Sequence, residues 1–319
     1  MKILIVRLSA LGDIVHTLPV AENAARAGAE VGWVVERLYR GLLESNPSVS
    51  TVFTADTRAW RERLLSAPAE IGALRRALRS FAPEWTLDVQ GLWKSALIAQ
   101  LAGAPVLGFT AAERRESSSV LLSRRRVRPG PDARHVVDKN LWLAAAADLP
   151  IERRAPDARY LLGVASPEAD AFLAKIPRPF ALYHPGAGWP EKTWGEERFA
   201  ELARLLARED GLAPIISWGP GDEERAALLA RLVPEATAIP RLDFVGLARV
   251  FAASALFVAG DTGPLHLADA LGVPVVAVFR VTDPARNGPY GQPQSVVCGG
   301  RGATVEAVAE AARKALAVA

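Results

Sequence analysis

Only one cysteine, Cys298, occurs in 319 residues. A disulfide framework within the chain and a thiolate metal cluster are both excluded, and the scarcity suits a reducing compartment. No apolar run approaches the roughly 20 residues that span a bilayer. The opening run MKILIVRL is strand-length and broken by Arg7, too short for the core of a signal peptide. No G-x-G-x-x-G follows it and no Walker A sequence occurs anywhere, which disfavours a nicotinamide dehydrogenase and a P-loop kinase. No H-E-x-x-H or carboxylate cluster suggests a catalytic metal. A large excess of one charge is missing too. The net charge of +3 does not announce nucleic acid, although local basic clusters can still steer an anionic partner.

What is present is core-forming material. Half of the residues are hydrophobic and 23% are charged. The 25 glycines and 23 prolines are ordinary usage and argue against disorder. The length suits two domains. Short apolar runs alternate with segments of helical period. ILIV (3–6), VGWVV (31–35), TVF (51–53), WTLDV (85–89) and VLGF (106–109) fill the first half. FALYH (180–184), APIISW (213–218), ATAI (236–239), ALFVAG (255–260) and VPVVAVF (273–279) repeat the plan in the second. Helices are expected over Trp60–Ser80, Leu92–Leu101, Phe199–Arg208, Glu223–Leu232 and from about Thr304. TWGE (193–196) fits a capping box, with Thr193 as the cap. The stretch 111–134 reads as an Arg- and Ser-rich loop.

Continuous apolar runs between helices indicate parallel sheets covered on both faces. The fold class is therefore α/β, with two doubly wound, Rossmann-like domains facing a central cleft. Ser-Pro and Pro-Arg-Pro breaks within 160–180 place the junction there, giving domains 1–165 and 166–319. Such folds bind ligands at the carboxyl ends of their strands, so the residues after each strand carry the functional reading.

DTGPLH (261–266) is the strongest of these. A strand ends at Gly260, and a helix opens beside Pro264 with unpartnered N–H groups that make an anion site. Asp261 or Thr262 alone would be explained by capping; His266 in addition would not. In HPGAGWPEKTWGE (184–196), Gly186, Ala187 and Gly188 form a small-residue loop, and Lys192 follows. A phosphate in that loop would gain a point charge from Lys192, though a surface lysine is the commoner fate. Asp222, Glu223 and Glu224 open a helix, where the dipole alone favours acids; one of them could hold a ribose.

SALGDIVHTLP (9–19) follows the first strand. Gly12 permits a tight turn. Asp13 fits two roles equally, a cap for a helix beginning at Ile14 or a base taking a proton from a hydroxyl. His16 would orient it or touch substrate. Pro19 makes the turn irregular or kinked.

Three stretches together, KILIVRLSALGDIVHTLP, HPGAGWPEKTWGEERFAEL and DTGPLHLADALGVPVVAVF, resemble the lipopolysaccharide heptosyltransferases of glycosyltransferase family 9. The resemblance implies the GT-B fold, with domain 1–165 binding the acceptor and 166–319 the nucleotide sugar. It implies an inverting transfer of L-glycero-D-manno-heptose from ADP-heptose to the Kdo-lipid A inner core, with no cofactor and no metal. Heptosyltransferase II, or another family-9 transferase with a different nucleotide sugar, is the alternative within the class. A two-domain sugar-binding module is the alternative outside it. By the resemblance Asp13 matches the general base, Lys192 the lysine near the diphosphate, and Asp261, Thr262, Gly263 and His266 the ADP-binding turn. One acid of 222–224 matches the adenosine contact. Ala187 and Gly188 stand where some members carry hydroxyl residues, which leaves backbone donors there. Arg61, Arg63, Arg114, Arg115 and Arg124–Arg126 lie in the expected acceptor domain, where clusters of basic residues suit phosphates and Kdo carboxylates; for several of them a solvated face explains as much. A cytoplasmic monomer is expected, with a peripheral place on the cytoplasmic face of the inner membrane and no transmembrane segment.

Overall fold

The computed structural model describes residues 1–62, 67–186, 188–299 and 303–318. The chain divides into two compact units, Met1–Arg154 and Ala155–Ala319.

The first unit holds strands β1 (Lys2–Val6), β2 (Glu30–Glu36), β3 (Thr51–Ala55), β4 (Trp85–Asp88), β5 (Val106–Phe109) and β6 (Arg125–Val127). They form one parallel sheet in the order β3-β2-β1-β4-β5-β6. The second holds β7 (Phe180–His184), β8 (Ala213–Ile216), β9 (Thr237–Ala238), β10 (Leu256–Gly260), β11 (Val275–Phe279) and β12 (Val296–Cys298). Its parallel order is β12-β11-β10-β7-β8-β9, the same topology. Each sheet reverses its strand order once, between β1 and β4 and between β7 and β10. Ligands of doubly wound sheets bind at the carboxyl ends beside such a switch point.

The central strands are buried on both faces, as their unbroken apolar runs require. In the second unit Phe199, Leu202 and Leu206 of helix Glu196–Asp210 pack with Val308 and Ala312 of helix Val305–Val318. Trp194 meets Phe199 edge-on at 5.1 Å and donates its indole N–H to Ala303 O at 2.8 Å.

Three expectations need correction. The unit boundary falls ahead of the proline breaks, because Ala158 N donates to Ala270 O and Arg249 Nη1 to Leu162 O and Val164 O at 3.5 Å, tying 155–165 to the second unit. Thr193 is not a cap. Gly195, at φ 105°, precedes the helix, and the Glu196 carboxylate pairs with Arg225 at 2.6 Å instead of reaching back. Of the helix expected over Trp60–Ser80, the described residues 60–62 and 67–80 are helical, within Thr57–Glu62 and Ala67–Phe81, and 63–66 lie outside the described residues. The loop 111–134 contains β6, an edge strand whose Arg-Arg-Val sequence carries no apolar run.

Candidate functional site

At the second unit's switch point, β10 ends at Gly260 and helix Gly263–Ala270 begins two residues later. Thr262 is its N-cap residue, yet its side chain makes no capping bond. The hydroxyl is buried without a hydrogen-bond partner among the described residues. A buried donor left unpaired costs about 1–3 kcal/mol, so it marks a place for an acceptor. Gly263 is the first helical residue and Pro264 the second. The first N–H groups have no intrahelical partners and bring the positive end of the helix to the same place.

Asp261 does not contribute its charge to this anion site directly. Its carboxylate takes Lys192 Nζ at 2.6 Å and stands 3.5 Å from His266 Nε2. Burial pushes its pKa up, but His266 and Lys192 outweigh that and bring it down to about 2. Asp261 therefore holds two cationic or N–H-bearing groups beside Thr262. The Lys192 carbonyl packs against Gly260, where a Cβ would come within 3.2 Å of it.

Across β7, His184 is buried, with Nδ1 3.3 Å from Ser217 Oγ and Nε2 3.6 Å from Asp222 Oδ2. Burial lowers the imidazole pKa to about 4 and raises that of Asp222. Both groups are pushed toward their neutral forms, so their approach is a contact and not an ion pair. Asp222 also lies against Gly186, where a Cβ would fall 2.3 Å from the carboxyl group and push that side chain aside. Of the three acids considered, Asp222 alone is turned to this loop. Exposed Glu223 accepts from Gly221 N at 2.8 Å, and Glu224 is exposed. Gly188 is exposed, and Ala187 lies outside the described residues.

The His184 shift has a consequence for stability. The unfolded chain protonates this histidine near 6.5, the folded one near 4. Between those values the unfolded state binds more protons, so stability falls as pH drops through that window. The full loss is about 3 kcal/mol. Urea midpoints measured from pH 7 to 4 are expected to fall, and His184→Gln is expected to flatten that slope.

In the first unit, β1 runs into helix Leu11–Val15, and a second helix, Leu18–Arg26, carries Pro19 in its first turn. The chain breaks at His16 and Thr17, which resolves the irregular turn. Asp13 is not the cap. Ala10 occupies that position, and Gly12 and Asp13 lie inside the first turn. The Asp13 carboxylate is half exposed, and Oδ1 is held by Arg7 Nη2 at 2.7 Å. Arg7 is buried and fixed through Nη1 to Val89 O at 3.0 Å, just past β4. Arg7 thus spans the switch point and aims the carboxylate. Tyr39 lies close by; burial, then the charges of Glu36 and Asp13, push its phenol pKa up. His16 is buried and meets the His135 ring edge-on at 5.2 Å, while its carbonyl accepts from Asn140. That places its ring in the packing behind the turn.

The arginines separate. Arg114 is buried, paired with buried Asp88 at 3.0 Å and bonded to Phe109 O and Ser119. It is a structural strut and leaves the proposed acceptor set. Arg61 bonds its own helix at Thr57 O, and Arg63 lies outside the described residues. Arg115, Arg124, Arg125 and Arg126 are exposed.

Two residues escaped the sequence reading, Arg7 and Arg280. Arg280 follows β11 directly, as Arg7 follows β1. It donates from Nη1 to Thr193 O at 2.5 Å, and its Nε is buried without a partner. Among the described residues it makes no ion pair. The segment 192–193 therefore lies over the ends of β10 and β11, with Lys192 against one and Arg280 beneath the other. The available signal was an arginine set directly after a buried parallel strand.

Among the described residues, no group of three or more His, Cys, Asp or Glu side chains is placed to hold a metal ion. No described helix is long and apolar enough to cross a membrane.

Two parallel six-stranded sheets of this topology, each with polar residues at its switch point, are the fold of the GT-B type of glycosyltransferase. The solved structure of E. coli heptosyltransferase WaaC with ADP superposes with a TM-score of 0.82 at 31% identity, covering 99% of this chain and 100% of that one. The chain belongs to glycosyltransferase family 9 (heptosyltransferase), whose model matches residues 71–316. Lipopolysaccharide heptosyltransferase 1 of Pseudomonas aeruginosa is 35% identical over 306 residues, covering 92% of this chain and 82% of that protein. Lipopolysaccharide heptosyltransferase 1 of Escherichia coli K12 is 33% identical over 312 residues, covering 93% of each.

Proposed function

We propose that this enzyme transfers L-glycero-D-manno-heptose from ADP-heptose to the Kdo-lipid A inner core of lipopolysaccharide, with inversion at the anomeric carbon. The observation that carries it is the buried, unpartnered Thr262 hydroxyl at a helix N-terminus beside Lys192. That constellation suits a diphosphate. The two named relatives, both called lipopolysaccharide heptosyltransferase 1, support a heptose as the sugar and lipopolysaccharide as the acceptor class.

In this reading the diphosphate accepts from Thr262, from the N–H groups at Gly263 and Leu265, and from Lys192. Asp222 takes the nucleoside side, next to Gly186. Asp13 receives the proton of an acceptor hydroxyl, whose oxygen forms the new bond to the anomeric carbon. The bond from that carbon to the ADP oxygen breaks, and the charge left on the diphosphate meets cations and N–H dipoles already in place. No resident metal or cofactor takes part in these steps. The acceptor would be met on the cytoplasmic face of the inner membrane.

The test is incubation with a panel of ADP- and UDP-sugars and Kdo-lipid A, read by product mass. Heptose added only from the ADP donor is expected. No product from any donor would overturn the reading. Arg280 enters as a second cation for the diphosphate. Arg280→Met is expected to weaken ADP binding about tenfold, the worth of one charge-assisted bond. AMP binding, measured by the same calorimetry, should change much less.

A further inference from the structure

Helix Trp93–Leu101 of the first unit hides Ser95, Ala96, Ile98 and Ala99 against the sheet. The face turned away from that core should be polar in a surface helix. Here it carries Trp93, 39% exposed, and Leu97, 55% exposed, one turn apart. The neighbouring turn Ser117–Leu122 adds Leu121 at 70%.

Two hydrogen bonds lock these elements side by side. Trp93 Nε1 donates to Ser118 Oγ at 3.1 Å at one end, and Gln100 Nε2 to Leu122 O at 2.6 Å at the other. Leu97 lies between Trp93 and Gln100, and Leu121 between Ser118 and Leu122. The three apolar side chains therefore belong to one patch. The patch is held rigid from below, because buried Arg114 bonds Ser119 and Ser123.

The charge around it is mostly positive. Arg115 precedes the turn, and Arg124, Arg125 and Arg126 follow it onto edge strand β6. All four are exposed, and among the described residues none makes an ion pair. Arg125 spends one N–H on Ala146 O. The nearby carboxylate of Glu116 accepts from the Trp93 backbone N–H.

We propose that this patch docks on an anionic lipid bilayer, with Trp93, Leu97 and Leu121 entering the headgroup boundary and Arg115, Arg124 and Arg126 meeting lipid phosphates. An exposed indole beside leucines, rimmed by uncompensated arginines, is the composition of an interfacial membrane contact. A protein partner would need a complementary acidic face. The surface of this chain offers a second copy no such face in the patch itself, since that copy would bring the same arginines against each other. The inference stands on exposure and charge and does not depend on the transfer reading.

The experiment is flotation of the full chain with vesicles containing no acceptor. Phosphatidylcholine vesicles with about one-third phosphatidylglycerol should carry the protein up, and pure phosphatidylcholine should not. Leu97→Asn with Leu121→Asn should weaken binding about tenfold. Arg124→Ser should weaken it about fivefold, and high salt should reverse it. Both apolar positions are exposed, so unchanged thermal melting is expected and checks the fold. Equal flotation with neutral and anionic vesicles, no flotation with either, or a concentration-dependent dimer abolished by Leu121→Asn without vesicle binding would each overturn the proposal. Because no substrate is present, these outcomes are independent of whether heptose is transferred.

Discussion

Asp13→Asn is expected to lower kcat by about three orders of magnitude, within the range for a general base, and to leave ADP affinity within about twofold. The geometry makes the test clean. Ala10 occupies the N-cap position, so asparagine at position 13 uncaps nothing. Asparagine also keeps the size and can still accept from Arg7 Nη2. What it loses is the basic oxygen. In Asp13 one oxygen is taken by Arg7 at 2.7 Å, and the other has no partner among the described residues. Arg7 is held by Val89 O, so the free oxygen is aimed by a group that cannot itself leave its place. Loss of turnover with intact nucleotide binding would separate proton removal from folding and from donor binding. Retention of a tenth or more of wild-type kcat would remove Asp13 from the proton path, since water alone would then suffice.

The same residue shows what was legible in the sequence. A carboxylate just after a parallel strand marks the ligand edge, and that much was readable. Its choice between cap and base was not, because it turns on whether the helix begins at Leu11 or at Ile14. Boundaries of short helices depend on tertiary context. The strands were visible where they are buried on both faces, as ILIV, VVAVF and FALYH are. β6 was invisible because an edge strand needs no apolar run, and its Arg-Arg-Val segment reads as loop. DTGPLH was legible because its polar residues crowd into one strand-turn-helix. Arg7 and Arg280 were not, since their partners Val89 and Thr193 lie 82 and 87 residues away. Arg114 erred the other way. It belonged to an Arg-rich stretch that looked exposed, and only the fold shows its guanidinium buried against Asp88.

Lys192→Met should cost about 10²–10³ in kcat, the usual loss when one preorganised group facing developing charge is removed, and weaken ADP binding in parallel. Methionine keeps much of the aliphatic stem, so packing changes little. The competing account makes Lys192 only the counterion of Asp261, and predicts lost stability with unchanged turnover. Asp261→Asn discriminates between the two. Asp261 grips Lys192 at 2.6 Å and its carboxylate titrates only near 2, so it is charged at every pH where the enzyme would work. Its removal frees the ammonium to wander while leaving it present. Asp261→Asn should therefore reduce kcat in the same direction as Lys192→Met, but by less. The double variant should be no slower than Lys192→Met alone, because both losses pass through one ammonium group. Additive losses would mean that Asp261 acts on the reaction by another route, through His266 at 3.5 Å. Steady-state kinetics of the three variants, with ADP titrations on each, decides between these routes.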